Sequence, residues 1–314
     1  MTHTYNFEFK PYCRKFRQPL QTYHGIWETR EGIIIRLIDE IGKIYLGEIA
    51  PIPWFGSETM SQALDFCQAL PSQISSETIF SVPDCLPACQ FGFESAIDRD
   101  RTTKFANLAQ SILLPTGEAA LGTLHKTISP KTTNCDTFKW KIGVSEFSTE
   151  VRVFDRLIRT LPDTAKLRLD ANGGLSWETA NRWLEMCDRL PQIEFLEQPL
   201  GVDRFSEMLA LSQQYRTPIA LDESVSTLDR IRDCHTRGWR GIFVIKAAIA
   251  GSPSQLRAFC KSHAVDSVFS SVFETQIGRK AALNLASELQ VKPRAVGFGI
   301  SDWFADKDEI GIEW

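Results

Sequence analysis

Three acidic residues, Asp170, Glu197 and Asp222, each follow a short apolar run in the second half of the chain. If those runs are parallel strands of a barrel, the three carboxylates meet at the carboxyl-end rim, where they would repel one another without a cation between them. An all-oxygen ligand set without His or Cys favours Mg²⁺, for which Mn²⁺ could substitute. The alternative is that each acid caps the helix that follows its strand.

Three lysines flank these acids in the sequence. Lys139 and Lys141 surround Trp140 in one predicted strand, so a period of two places both on the same face. Lys141 lies in the second predicted strand, and Lys246 ends the sixth. These strands lie opposite each other in a ring of eight, so the two lysines should face each other across the rim. One lysine could then remove the proton α to a substrate carboxylate while a metal stabilises the enediolate. Lys139 would help keep the base neutral and hold the substrate; the alternative is a simple ion-paired lysine.

Eight β-like runs, separated mostly by helical stretches, are spaced as strand–helix units are. They predict an α/β fold with a (β/α) barrel over residues 105–301, a modified TIM barrel. A doubly wound open sheet is the alternative, but no glycine-rich fingerprint follows the first run. The predicted strands are 111–114, 138–142, 166–170, 193–196, 219–221, 241–245, 267–273 and 295–298.

The first 104 residues have a different pattern of predicted secondary structure, typical of an α+β capping domain. Residues 32–37 and 43–47 predict a β-hairpin, and helices are predicted from about 58 to 70 and 91 to 98. We place the domain boundary near residue 105 and expect the tail, about 302–314, to pack back on the cap. Loops 23–26 and 53–57 are candidate lids over the site.

Composition limits the partners. The chain has 314 residues, 43% hydrophobic and 24% charged, with a net charge of −4 and no basic block, so we expect no nucleic-acid or membrane partner. A small-molecule carboxylate substrate is expected instead. Eight dispersed cysteines without a signal-peptide pattern favour reduced thiols in the cytoplasm. The sequence does not define an oligomeric state.

The motifs resemble those of the enolase superfamily, in its muconate-lactonizing-enzyme-like branch. Residues 139–141, 170–172, 197–199 and 222–224 and the final Lys246 resemble the KxK, DxN, EQP, DES and lysine motifs in order and spacing. The resemblance implies that Asp170, Glu197 and Asp222 bind the metal and that Lys141 and Lys246 are the acid/base pair. Glu223 would support the ligands from behind. Arg168, inward by alternation, could pair with a ligand carboxylate, reach the substrate or form an internal barrel salt bridge.

Within that superfamily the chain is most similar to the o-succinylbenzoate synthase family, through residues 30–32, 47–53, 55–59, 91–96 and 270–275. The resemblance implies a lyase that dehydrates 2-succinyl-6-hydroxy-2,4-cyclohexadiene-1-carboxylate to 2-succinylbenzoate, a step towards menaquinone or phylloquinone. Lys141 would act as base and then acid on one face, with Lys246 as a cation on the other. The implied substrate contacts are Asn172, Ser271, Gly297 and Gly299, with the choice between Ser270 and Ser271 open, or these are ordinary turn residues.

Two other functions use the same features differently. A dipeptide epimerase or N-succinylamino acid racemase would use Lys141 and Lys246 as two opposed bases. Epimerases of this kind tend to carry Asp-x-Asp on the eighth strand, whereas residues 299–303 read Gly-Ile-Ser-Asp-Trp. A non-catalytic ligand-binding barrel is a more distant alternative, because it has no need for three metal acids and two opposed lysines.

Overall fold

A computed structural model describes residues 3–22, 25–98, 108–128, 136–299 and 303–305. Its first part contains an antiparallel sheet in the order β3-β2-β1-β4. Ile34 pairs with Glu48 between β2 and β3, which confirms the predicted hairpin. The strands are β1 (Thr4–Thr22), β2 (Gly25–Asp39), β3 (Ile44–Ile49) and β4 (Gln73–Ser75).

Three helices cover this sheet: α1 (Met60–Ala69), α2 (Ser76–Phe80) and α3 (Pro87–Ile97). Thr59 and Gln62 form a reciprocal capping box that starts α1. Helix α3 is almost wholly buried and packs directly on β3, where a Cβ on Gly47 would lie 2.1 Å from the carbonyl oxygen of Gly92. Glycine at position 47 therefore lets the helix backbone approach the strand. Helices α1 and α3 confirm the predicted helices at about 58–70 and 91–98, within a few residues.

The second part is built on seven parallel strands in sequential order. The ring is completed by residues 295–298, because Val296 bridges to Gln110 and Gly297 bridges to Ser270, both in parallel. The eight predicted runs therefore all contribute to a closed barrel, as the sequence predicted. The strands are β5 (Ile112–Leu113), β6 (Thr137–Lys141), β7 (Lys166–Asp170), β8 (Ile193–Glu197), β9 (Ile219–Leu221), β10 (Ile242–Ile245) and β11 (Ser267–Phe269).

Helices alternate with these strands and cover the outside of the barrel. Side chains at the start of several helices accept a backbone hydrogen bond, as Ser176, Thr227 and Ser252 do. The helices are α4 (Ala119–Thr127), α5 (Phe147–Thr160), α6 (Trp177–Cys187), α7 (Phe205–Gln214), α8 (Leu228–Thr236), α9 (Ala247–Ala250), α10 (Pro253–His263) and α11 (Gln276–Leu289). No helix in the described part of the chain is both long and apolar enough to cross a membrane.

A small apolar cluster fills the barrel interior. It consists of Phe195, Ala220, Ile242, Val244 and Val268, each nearly inaccessible to solvent. Side chains alternate along a strand, so the residues two positions beyond these also face inward. The barrel therefore directs the side chains at positions 197, 222, 246 and 270 into its carboxyl-end mouth.

Buried polar contacts join the cap to the barrel. Glu48 of β3 accepts hydrogen bonds from the backbone N–H groups of Thr275 and Gly278, at the start of α11. Arg30 of β2 donates to the carbonyl oxygen of Val272 at 3.0 Å. A carboxylate at a helix N-terminus is favoured by the helix dipole, so this contact fixes the cap on the barrel.

The few described residues of the tail lie against the cap. Phe304 stacks on Phe16 with ring centroids 5.0 Å apart, and Ala305 N donates to the carbonyl oxygen of Lys15. The predicted boundary near residue 105, most of the predicted tail 302–314, and residues 23 and 24 of the first predicted lid lie outside the described residues. The domain limits 1–104 and 105–301 therefore stay predictions.

Candidate active site

The polar residues singled out in the sequence lie at the carboxyl ends of five adjacent strands. Register pairs Lys141 of β6 with Asp170 of β7, and Asp170 with Glu197 of β8. Asp222 and Lys246 directly follow β9 and β10. The parallel register therefore brings all five to the same rim of the barrel.

Lysine ammonium groups lie between the buried carboxylates. The Nζ atom of Lys139 is 2.8 Å from Oδ2 of Asp170 and 2.6 Å from Oε1 of Glu197. Lys246 Nζ donates to Oδ1 of Asp222. The three carboxylates are only 1–3% exposed, so these contacts are made away from bulk water and are electrostatically strong.

The acids differ in how readily they ionise. Burial and the neighbouring charge of Asp170 raise the pKa of Glu197 to about 7. Burial also raises the pKa of Asp222, and burial with the charge of Asp170 raises that of Glu223. By contrast, Lys139 and Lys141 outweigh burial and lower the pKa of Asp170. Burial is the largest cause of all three raised pKa values, and repulsion among the acids adds to it.

This donor set fits a hard divalent cation. Every candidate ligand atom is a carboxylate oxygen, and Oε2 of Glu223 is buried without a hydrogen-bond partner. Among the described residues no three acidic, His or Cys side chains form a ready-made metal cage; the ammonium groups of Lys139 and Lys246 bridge the carboxylates instead. An added cation would offset the mutual repulsion of these carboxylates, which adds to burial in raising the pKa of Glu197.

A second chain of hydrogen bonds holds Lys141. Its Nζ donates to Oδ1 of Asn172 at 2.9 Å, and Nδ2 of Asn172 donates to Oε1 of Glu223 at 3.1 Å. The backbone N–H of Asn172 donates to Asp170 in turn. Asn172 has φ of +43°, a left-handed conformation that Asn tolerates better than most residues. Asn172 therefore links Lys141 to two of the acids.

Gln198 is part of the motif at residues 197–199, but no separate role was predicted for it. Its side chain is fully buried, and its Oε1 accepts from the backbone N–H groups of Asp222 and Ser224 at 3.0 and 3.2 Å. Its Nε2 donates to Oγ of Ser224 at 2.7 Å. Gln198 thereby fixes the backbone that carries Asp222, and only its motif position hints at this.

Glu150 of α5 was likewise not singled out. Its buried carboxylate accepts three backbone N–H bonds of 2.8–3.0 Å from residues 143–145. These residues form the turn that immediately follows Lys141. A carboxylate at the start of a helix and inside a turn holds both in one arrangement. Glu150 therefore anchors the turn that follows β6.

Arg168 lies deeper in the barrel. Its Nε donates to Oε2 of Glu194 at 2.7 Å, and Glu194 also bonds Arg294 at 2.7 Å. The guanidinium lies 4.9 Å from the ring centroid of Phe195. Of the alternatives for Arg168, the structure contains the internal salt bridge.

The predicted substrate-contact residues of the last two strands lie on one side of the mouth. Alternation beyond Val268 turns Ser270 inward, whereas Oγ of Ser271 donates to Oε2 of buried Glu274 at 2.8 Å. A Cβ on Gly297 would lie 3.1 Å from Oγ of Ser270, and Gly299 is exposed. Ser270 is thus the serine whose hydroxyl faces the interior.

The fold and this site define a barrel enzyme of the enolase type with an N-terminal cap. A family model described as "Enolase C-terminal domain-like" matches residues 129–309, more than half of the chain. A second, described as "MenC, N-terminal domain", matches residues 20–99. The two matches cover the barrel and the cap separately.

The chain is 39% identical over 302 residues to the o-succinylbenzoate synthase of Thermosynechococcus vestitus, covering 94% of this chain and 92% of that protein. It is 25% identical to that of Thermobifida fusca, over 90% and 78% of the two chains. A crystal structure of the synthase from Thermosynechococcus elongatus BP-1, complexed with Mg in its active site, superposes with a TM-score of 0.88 at 38% identity, covering 95% and 94%. An L-Ala-D/L-Glu epimerase from Bacillus subtilis shares the fold at 18% identity and a TM-score of 0.77, covering 96% and 91%.

The chain belongs to the o-succinylbenzoate synthase family, and it is therefore a lyase of the enolase superfamily. The resemblance seen in the sequence motifs is thus confirmed over nearly the whole chain. The likeness to the epimerase shows the common fold only, because its identity is low.

Proposed function

We propose that the chain catalyses the Mg²⁺-dependent syn dehydration of 2-succinyl-6-hydroxy-2,4-cyclohexadiene-1-carboxylate to 2-succinylbenzoate, in quinone biosynthesis. One observation carries the proposal: three buried carboxylates and three lysines converge on a single barrel mouth. Such a mouth suits a carboxylate substrate that gains negative charge as its α-proton leaves. Loss of water makes the ring aromatic, which drives the reaction forward.

Asp170, Glu197 and Asp222 would hold Mg²⁺, with Mn²⁺ as a possible substitute. When bound, the ion would neutralise charge on the substrate carboxylate and so ease proton removal. The buried all-oxygen donor set and the raised pKa of Glu197 support this assignment. Glu223, which accepts a hydrogen bond from Asn172, would help to position the ligands without binding the metal itself.

Lys141 would perform the proton transfers. Its Nζ would take the proton from the carbon α to the ring carboxylate and then return a proton to the departing hydroxyl on the same face, so that water leaves. The bond from Lys141 to Asn172 supports this role because it aims the Nζ atom at the mouth rather than at a carboxylate. Rigid anchoring of the following turn by Glu150 would keep that aim constant.

The other lysines would act as charges. Lys246 would remain a cation on the opposite substrate face, where it offsets negative charge that develops in the transition state. Lys139, although buried, has its pKa raised by Asp170, Glu197 and Asp222, so it is a permanent cation. It would help bind the substrate carboxylate.

Asn172, Ser271, Gly297 and Gly299 would contact the substrate, with Ser270 added because its side chain faces inward. The glycines would leave room for the succinyl side chain and present backbone groups to it. The cap over residues 1–104 would close the mouth above the barrel of residues 105–301, with the tail packed against the cap. Closure of this kind excludes water from the reacting atoms.

Racemisation of an N-succinylamino acid is a second candidate, favoured by one observation. Lys141 ends β6 and Lys246 follows β10, and these strands lie four apart in the ring, so each lysine could serve one face of an α-carbon. The same site could then remove a proton on one face and return it on the other.

Turnover of the cyclohexadiene carboxylate separates these candidates. Purified protein with Mg²⁺ should consume the substrate and form 2-succinylbenzoate, and EDTA or the Lys141→Ala change should abolish this. The matched control Lys166→Ala removes a lysine from the opposite end of the neighbouring strand, where it bonds a backbone carbonyl, and should keep activity. If the wild type leaves this substrate untouched yet exchanges the α-proton of an N-succinylamino acid in D₂O, the dehydration proposal is wrong.

A further inference from the structure

A cap residue touches one of the proposed catalytic lysines. The Nζ atom of Lys246 lies 4.0 Å from the ring centroid of Phe55. The Lys246 side chain is 12% exposed, so this contact is largely shielded from water. A shielded ammonium group over an aromatic face is attracted by the negative face of the ring.

The turn that carries Phe55 is held in one conformation. Phe55 N donates to the carbonyl oxygen of Ile52, and the backbone N–H of Ile52 donates to Oγ of Ser57 at 2.7 Å. Gly56 has φ of +107°, and a Cβ there would lie 2.8 Å from Oγ of Ser226. Glycine therefore lets the turn bend and approach the barrel closely enough for the ring to reach Lys246.

A buried carboxylate anchors the far side of the same turn. Glu58 is 3% exposed and accepts hydrogen bonds from the backbone N–H groups of Ala88 and Cys89 at 2.9 and 2.7 Å. These are the first N–H groups of α3, which packs on β3. The turn is thus fixed to the body of the cap at one end and pressed on the barrel at the other.

We propose that Phe55 is a positioning residue for Lys246, holding its ammonium group at the mouth of the barrel through a cation–π contact. This rests on the proposed function, in which Lys246 acts as a cation. Within the described part of the chain, Lys246 contacts Asp222 and the ring of Phe55. Asp222 is also a proposed metal ligand, whereas an aromatic face attracts the lysine without competing for the metal.

The contact gives the cap a direct part in the chemistry. Phe55 belongs to the cap and Lys246 to the barrel, so a seated cap turn would give the ammonium group a contact in addition to Asp222. A seated cap would therefore both cover the mouth and set the opposing charge, which makes its position part of catalysis. From the sequence alone, the 53–57 loop is predicted only as a lid.

The test varies the ring's electrostatics at nearly constant shape. Phe55→Tyr should keep kcat within about twofold, whereas Phe55→Leu and replacement by 3,4,5-trifluorophenylalanine, whose ring face is no longer negative, should each lower kcat about tenfold. KM should change less than kcat because the contact acts on a charge needed in the transition state. Phe80→Leu, which removes an exposed aromatic from the cap surface, is the control and should leave kcat unchanged. Equal kcat in the wild type and the trifluorophenylalanine variant would overturn the proposal.

A spectroscopic measurement tests the contact without any turnover. In protein labelled with [ε-¹³C]lysine, the ring current of Phe55 should move the Lys246 ε-methylene proton signal upfield, with Lys246→Arg identifying the signal. Phe55→Leu should return it to the position of an ordinary lysine, and Phe55→Tyr should not. An ordinary position in the wild type would overturn the contact. If the signal behaves as expected but the protein does not turn over the cyclohexadiene carboxylate, the proposed reaction fails and the contact stands.

Discussion

Glu274 is a buried carboxyl group whose charge should cost stability at neutral pH. It is 1% exposed; its Oε2 accepts from Oγ of Ser271 at 2.8 Å and from Val272 N at 2.6 Å. Its Oε1 is buried without a hydrogen-bond partner. Burial, with a smaller contribution from the charge of Glu48, raises the pKa of Glu274 to about 7. Glutamine in its place would keep one acceptor oxygen and remain neutral at every pH.

The magnitude follows from linkage. A carboxyl group with an ordinary pKa of 4.5 in the unfolded chain and about 7 in the folded protein binds its proton more tightly when folded. Its contribution to stability is therefore full below about pH 4.5 and is lost as the pH rises through about 7, a change of about 3 kcal/mol. Glu274→Gln should match the wild type near about pH 5 and be more stable by up to about 3 kcal/mol near about pH 8.

Urea unfolding at a series of pH values measures this difference. The control is Glu185→Gln, which changes an exposed carboxylate on α6 and should parallel the wild type at every pH. A Glu274→Gln variant that tracks the wild type across the series, or that is less stable at the alkaline end, would refute the reasoning. Only the difference between variants is diagnostic, because Glu197 also has a raised pKa.

Three further changes test other parts of the account. Asn172→Gly keeps the left-handed backbone but removes the hydrogen bond to Lys141. The kcat should fall about tenfold while the urea midpoint stays nearly unchanged. An unaltered kcat would contradict the role of Asn172 in positioning Lys141. Arg168→Met breaks the buried pair with Glu194 and should cost about 3 kcal/mol in urea unfolding with kcat/KM nearly unchanged; lost activity at full stability would point to a role at the rim. Gly47→Ala forces a Cβ to within 2.1 Å of a carbonyl oxygen of α3 and should lower the melting temperature by at least about 5 °C, whereas a normal melting curve would contradict the close packing.

The barrel was predictable because its strands are short β-like runs at regular spacing, several of which end in or just before a charged residue. Strand β1 was missed, although Tyr5 and Phe7 alternate inward, because its second half is rich in charged residues. One of these, Arg14, is buried and lies 3.7 Å from the ring centroid of Phe304. A partner so distant in sequence is invisible to local pattern.

The predicted strand 267–273 was too long. It ends at Phe269, and Phe273 has φ of +61°, a left-handed conformation that no strand contains. The turn is held by Glu274 through Ser271 and Val272. The apolar and β-branched residues there favour a strand locally, so tertiary hydrogen bonds overrode the local preference.

The chemistry at the rim was predicted because residue type and strand position determine it together. The individual contacts between the rim side chains were not predicted. Lys139 bridges two acids, and Phe55 reaches Lys246 from another part of the chain. Such contacts depend on how the strands and the cap come together in three dimensions, whereas a period of two describes only one strand at a time.

In the proposed function the two opposed lysines act differently: Lys141 would move protons, whereas Lys246 would supply charge. Arginine keeps the charge but cannot serve as a base, because it stays protonated. In turnover of the cyclohexadiene carboxylate, Lys141→Arg should lower kcat by roughly 10²–10⁴-fold, while Lys246→Arg should retain a clearly measurable part of it. Equal losses in both variants, or activity retained in Lys141→Arg, would contradict the account.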